Sequence, residues 1–201
     1  MRQNLTSKIL ELLVRVVSFD YFFVKKILRE FVNDYKPKVV LDLGCGTGIL
    51  APFFLKSGYF GVDIEEDLIN YASKQHPGYT FRAIDATKVK LGIFFDCIVV
   101  VGVIHHLNDQ DAKKFVNTMA IHLKKSGRVL VIEAIPPIVK WNIFAIINRK
   151  MDRGAFIRDT DYYRKLVRSK FNIEKSYDQL GGAADYGVLI LSHKSANQGI
   201  V

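Results

Sequence analysis

Val39-Val40-Leu41-Asp42-Leu43-Gly44-Cys45-Gly46-Thr47-Gly48 decides how this chain is read. An apolar strand ends in an acid and runs straight into alternate glycines. Glycine accepts positive φ and carries no side chain to hold a ligand away. Such a loop brings backbone up against a nucleotide-like molecule. In open α/β sheets that position, beyond the carboxyl end of a strand, is where ligands bind.

Working outward, the pattern alternates strands and helices. Residues 5–17 and 20–33 are apolar-rich and helical; in the second, Val24, Ile27, Leu28 and Phe31 form one face. Strand 38–43 is followed by a predicted helix at 47–57, with Pro52 near its start and Gly58 closing it. A strand at 59–63 leads to a helix at 65–75, whose Glu65, Glu66 and Asp67 suit a positive N-terminus. Strands follow at 79–84 and 95–101. The second is a near-continuous apolar run, as in a parallel sheet buried on both faces. Ala112, Phe115, Val116, Met119 and Leu123 mark a helix over 109–124. A strand at 128–134, a short helix at 161–169 capped by Thr160, and strands at 171–177 and 186–193 complete the order. This alternation predicts an α/β sandwich around a mostly parallel sheet.

The 201 residues read as one domain, with 49% hydrophobic residues to fill its core. The two cysteines, Cys45 and Cys97, have no metal-site or disulfide spacing, which points to a reduced, cytoplasmic setting and no bound metal. The net charge of +9 permits contact with nucleic acid or anionic lipid without demanding either. Lys8, Glu11 and Arg15 interrupt any early signal core, and Glu133, Pro136, Pro137 and Lys140 interrupt the apolar region 129–147.

The glycine loop has two readable registers. Gly46-x-Gly48-x-x-Ala51 matches the dinucleotide fingerprint. Asp42-x-Gly44-x-Gly46-x-Gly48 resembles motif I of the class I S-adenosylmethionine (SAM) dependent methyltransferases. Later segments favour the second register. Asp63, in Gly61-Val62-Asp63, suits a ribose contact in either family. Asp85, in Phe81-Arg82-Ala83-Ile84-Asp85-Ala86, resembles the methyltransferase acid near the adenine amino group. Val101-Gly102-Val103-Ile104-His105-His106-Leu107 and Gly127-Arg128-Val129-Leu130-Val131-Ile132-Glu133 resemble the fourth-strand and fifth-strand motifs of small-molecule members. The resemblance spans about residues 36–135. It implies a three-layer Rossmann-like sandwich with a seven-stranded sheet ordered 3-2-1-4-5-7-6, strand 7 antiparallel.

It also implies site roles. Asp42, Gly44, Cys45, Gly46 and Gly48 form the cofactor loop; Asp63, Ile64, Asp85, Ala86 and Gly102 complete the SAM site. His105 and His106 are catalytic candidates, because an imidazole suits proton removal from a hydroxyl or amine near neutral pH. Glu133 is expected to orient His105, with His106 bracing the loop. Tyr21, Trp141, Arg153, Arg158 and Tyr162 are substrate-side candidates, although ordinary packing or solvent exposure accounts for the same residue types. Residues 1–35 read as a helical lid, 36–135 as the cofactor core, and 136–201 as a substrate lid with the last strands.

Strand four lacks the Asn/Asp-Pro-Pro-Tyr-like segment of nucleic-acid and glutamine amino-methyltransferases, and no stretch reads as an appended nucleic-acid-binding domain. The expected acceptor is therefore a small molecule, with O-methylation favoured. Aromatic and aliphatic residues at 19–31 and 138–147 suit an apolar or amphipathic acceptor such as a quinone, lipid, polyketide-like or glycan-linked compound, or a peripheral membrane contact. The oligomeric state is not readable. The rival classes are a nicotinamide-dependent oxidoreductase, which lacks a Tyr-x-x-x-Lys pair after strand five, and a SAM-binding protein without catalysis.

Overall fold

The computed structural model describes residues 22–138, 155–181 and 184–194. One sheet contains β1 (Val40–Leu43), β2 (Tyr59–Asp63), β3 (Thr80–Ala83), β4 (Phe95–Val101), β5 (Leu123–Ile135), β6 (Phe171–Gln179) and β7 (Asp185–His193). Their order is β3-β2-β1-β4-β5-β7-β6. The first five strands pair in parallel, while β7 runs antiparallel to β5 and β6. This is the predicted sandwich. Strand order reverses between β1 and β4, which puts the loops after both strands side by side at the carboxyl edge.

Side-chain alternation supplies a core on each face. Leu41, Leu43, Ile98, Val100, Val129, Val131, Leu189 and Leu191 pack beneath α3 (Asp109–His122) and α4 (Thr160–Val167), which contribute Phe115, Met119, Tyr163 and Val167. Val40, Tyr59, Val99, Leu130, Ile132 and Val188 face α1 (residues 22–35), through Val24, Ile27, Leu28 and Phe31. Each fully buried large apolar side chain contributes on the order of 2 kcal/mol. Helix α1 is thus a layer of the sandwich over its described length, and Phe31 is core material. The α2 helix (Glu66–Gln75) covers β2 and β3 and buries Ile69 and Ala72.

Three local expectations change. The helix expected at 47–57 does not form. The chain makes two short 3₁₀ turns, Ala51–Phe53 and Lys56–Gly58, with Phe54 and Leu55 extended. Pro52 removes an amide inside a segment too short to recover the nucleation cost of an α-helix. The α4 helix is capped by Asp159, which accepts from the Tyr162 N–H at 2.8 Å; Thr160 is already helical and donates to Asp178 instead. Strand β5 begins earlier than expected, because Leu123 already pairs with Phe95 ahead of a register shift.

The turn after β1 depends on its first glycine. Gly44 has φ +81°, and an added Cβ would run into Val103 Cγ2. Its N–H and that of Cys45 both donate to Val62 O, at 2.8 and 2.9 Å. The Gly44→Ala substitution combines an unfavourable backbone with a side-chain clash. It is expected to cost about 2–4 kcal/mol. Urea unfolding checks this, and a midpoint within error of wild type would contradict it.

Candidate active site

A cavity of about 520 Å³ opens at the carboxyl edge, between the loops that follow β1, β2, β3 and β4. That is within the roughly 300–1,000 Å³ of small-molecule sites. Gly44, Gly46, Asp63, Ile64, Asp85, Ala86, Gly102 and His106 line it, so eight of the candidate residues converge on one space. Leu68, Thr87, Val103, Leu107 and Phe115 also line it. These were missed because each reads as an ordinary helix, turn or core residue.

The acid side of the wall is well ordered. Asp63 Oδ2 accepts the Gly46 N–H at 2.8 Å and Oδ1 accepts the Glu65 N–H at 3.0 Å. A carboxylate oxygen can accept more than one hydrogen bond, so Asp63 ties the loops together with acceptor capacity left for ligand hydroxyls. Asp85 Oδ1 accepts from the Thr87 N–H and Oγ1 at 2.9 and 2.7 Å, and Oδ2 pairs with Lys88 at 2.9 Å. Hydrogen bonds from Lys88 and Thr87 hold the Asp85 carboxyl down at about 2. It therefore serves only as an acceptor. Ile64 is 67% exposed, an apolar edge beside these acids.

The other candidate residues of the loop stand behind the wall. Asp42 is buried on the opposite face of β1 from Leu41 and Leu43, and accepts from Tyr59 Oη at 2.6 Å. Its carboxyl points into the sandwich, so Asp42 stands behind the cofactor loop and not on the cavity wall. Burial pushes Asp42 up to about 7, aided by the Asp63 charge and opposed by the Tyr59 hydrogen bond. The Cys45 thiol is also pushed up by burial and by Asp42 and Asp63, so it is no nucleophile. An added Cβ on Gly48 would meet Phe81 and Ala72, so that glycine permits close packing.

Strand β4 exits through Gly102, at φ +66°, whose N–H donates to Ile132 O at 2.9 Å. A 3₁₀ turn, Ile104–His106, follows. Glu133 is fully buried beneath it. Its Oε1 accepts the Val103 and Ile104 N–H groups at 2.9 and 2.8 Å, and Oε2 accepts the His105 N–H at 3.3 Å. His105 Nδ1 lies 2.8 Å from Oε2. A carboxylate only accepts, so this geometry puts the proton on Nδ1 and makes Nε2 the basic nitrogen. The expected His105–Glu133 pairing is present. The positions of the two histidines reverse expectation, however: His105 is 5% exposed and behind the wall, whereas His106 is on it. Their rings are 4.1 Å apart.

Arg158 and Tyr162 form a clamp beside this turn. Arg158 Nη1 and Nη2 both donate to Leu107 O at 3.1 Å, and Nη2 also meets Asp109 Oδ1 at 2.6 Å. Tyr162 Oη donates to the same Asp109 oxygen at 2.8 Å, while its ring lies under the guanidinium. Both groups are engaged by protein partners and hold the Leu107 end of the turn. Tyr21, Trp141 and Arg153 lie outside the described residues.

The dinucleotide register lacks its partner here. A pyrophosphate needs aligned amides at a helix N-terminus, and only short 3₁₀ turns follow the glycines. Residues 40–127 match the family described as "Methyltransferase domain". That match takes in less than half of the chain, and it agrees with the resemblance to the class I SAM-dependent methyltransferases. The cofactor of this family is S-adenosylmethionine. The chain is 23% identical over 153 residues to the ubiquinone biosynthesis O-methyltransferase of Rickettsia canadensis, covering 73% of this chain and 63% of that relative. It thus spans less than two thirds of the relative's length. Among solved structures it resembles the N-methyltransferase NodS from Bradyrhizobium japonicum WM9 in complex with S-adenosyl-L-homocysteine. That likeness has a TM-score of 0.66 at 17% identity, over 84% of each chain. It also resembles magnesium protoporphyrin IX methyltransferase from Synechocystis PCC 6803. There the TM-score is 0.66 at 19% identity, over 86% of this chain and 82% of that one. Among the described residues no group of His, Cys, Asp and Glu is arranged to hold a metal ion, and no helix is long and apolar enough to cross a membrane.

Asp42 makes folding pH-dependent. Its ordinary value is 3.8 and its folded value about 7, so the folded chain binds this proton more tightly than the unfolded chain. Stability from this group is full below about 4 and falls as pH rises toward 7. An Asp42→Asn variant keeps an oxygen for Tyr59 and removes the titration. Its stability relative to wild type is expected to rise across that window and level off above it. Urea unfolding at several pH values tests this; parallel profiles would contradict it.

Proposed function

We propose that this methyltransferase moves a methyl group from S-adenosylmethionine to a small-molecule acceptor, by O-methylation of an apolar or amphipathic compound. The observation that carries the reading is the convergence of Gly44, Gly46, Asp63, Asp85 and Gly102 on one cavity. The fit to the cofactor is chemical. Gly46 has positive φ and open space where a Cβ would stand. Asp63 would accept from the ribose hydroxyls, Asp85 from the adenine amino group, and Ile64 would supply an apolar surface for the ring. The bound cofactor supplies an electrophilic methyl group. The chain's task is to hold an acceptor in line with it.

His106 is the residue placed to take a proton from the acceptor, since it is on the cavity wall. His105 and Glu133 act through it, by holding the turn that carries it. Proton removal is worth roughly 10²–10⁴-fold in rate. O-methylation agrees with the name of the Rickettsia relative, and an N-methyl acceptor is the alternative that the name of NodS keeps in view. The single-domain reading belongs here too, with residues 22–35 counted in the core and not in a lid.

Titration calorimetry with SAM and with NAD separately tests the cofactor: heat with SAM and none with NAD is expected, and the reverse overturns the reading. Turnover is then read on a panel of phenols, quinols and amines. His106→Ala is expected to keep SAM affinity while kcat falls by about 10²–10⁴-fold. Glu133→Gln is expected to weaken SAM binding and lower the melting temperature together. Near-normal turnover by His106→Ala would remove it from the chemistry.

A further inference from the structure

We propose that the amino end of the sheet, opposite the cavity, docks this protein on an anionic lipid surface. Ile93 and Phe94 enter the interface and a ring of lysines meets the headgroups. The inference is independent of the methyl-transfer reading.

Topology assembles this face. Because β1 to β5 are parallel, the residues just before each strand share one end of the sheet. Lys36 and Lys38 precede β1, Lys56 precedes β2, Lys90 precedes β4, Lys125 lies in the bulged start of β5, and Lys170 precedes β6. All are exposed, and none makes an ion pair among the described residues. The carboxylates placed at this end among the described residues are Asp34, exposed at the end of α1, Asp96 and Glu174. Asp96 is taken by Lys124 at 2.6 Å and Glu174 by Arg128 at 2.7 Å. The opposite end is acidic, with Asp63, Glu65 and Asp85 in the cavity wall. Lys36, Lys38, Lys56, Lys90, Lys125 and Lys170 thus give this end of the sheet a surplus of unpaired positive charge among the described residues.

Two features make the pole more than a solvated basic surface. The loop tip Gly92-Ile93-Phe94 leaves Ile93 46% and Phe94 61% exposed, adjacent apolar side chains that the described residues leave uncovered. Beside β1 a cavity of about 300 Å³ is lined by Tyr35, Lys36, Lys38 and Arg128 together with Asp96, whose charge Lys124 offsets, and its two unpaired lysines suit an anionic headgroup. Apolar side chains entering the headgroup boundary, with lysines around them, are how a peripheral surface holds a membrane. Lysine is a strongly hydrated point charge suited to a diffuse anionic surface, whereas bidentate phosphate reading favours arginine. Single-stranded nucleic acid would require several stacking platforms along a groove, and Phe94 is a single tip. Docked this way, the acidic end points away from the membrane and the cavity opens toward water.

The test uses the full chain with sedimented vesicles, of phosphatidylcholine alone or of phosphatidylcholine and phosphatidylglycerol in equal parts. Binding to the anionic vesicles only, lost at high salt, is expected. The double variant Ile93→Ser/Phe94→Ser is expected to weaken partitioning by about tenfold or more. Lys90→Glu/Lys125→Glu should act in the same direction. Both variants should keep the wild-type melting temperature and SAM affinity, which separates this result from the fate of the methyl-transfer reading. No sedimentation at low salt, or equal sedimentation of the Ile93→Ser/Phe94→Ser variant, overturns the proposal. So does salt-sensitive binding to a single-stranded RNA oligonucleotide with none to vesicles.

Discussion

Glu133 is buried at the far end of β5, and its carboxylate collects the amides of Val103, Ile104 and His105 together with the His105 imidazole. A buried charge is tolerated only when hydrogen bonds replace its water, and here backbone and side chain supply them. The consequence reaches across the sheet. The turn after β4 is fastened to β5, and that turn presents Gly102, Val103 and His106 to the cavity. Arg158 and Phe156 secure its other side, through Leu107 O and His105 O. Removing the carboxylate would leave three amides without this partner, two of them buried, a larger loss than one ion pair.

The remaining wall is held by the same device in miniature. Asp63 joins the end of β2 to the glycine loop through the Gly46 amide. Gly44 then lets Val103 pack where any Cβ would stand, so the β1 loop and the β4 turn are in direct contact. The cavity is thus bounded by backbone segments tied to one another by acids. That suits a ligand recognised by fixed polar positions, since few rotatable side chains must be ordered when it binds.

Much of this was legible in the residues. The near-continuous apolar run at 95–101 announced a strand buried on both faces, and the glycine spacing announced the ligand edge. Asp63, Asp85 and Gly102 could be placed because each follows a strand, and topology brings strand ends together. The 3₁₀ turns at 51–58 were not legible, because a helical pattern in so short a segment is decided by Pro52 and by packing. The Asp159 cap was mistaken by one position, since Asp and Thr are both good N-caps and only backbone geometry chooses between them.

The sequence by itself determined the sheet and the residues available at its edge, because periodicity and glycine spacing act locally along the chain. Which histidine meets the cavity was decided only in three dimensions. His105 and His106 are neighbours of identical chemistry, and their roles divide because one faces Glu133 and the other the open wall. The same holds for Asp42, which strand alternation turns into the sandwich toward Tyr59. It holds again for the basic pole, whose lysines are scattered along the sequence and become one surface because parallel strands all begin at the same end.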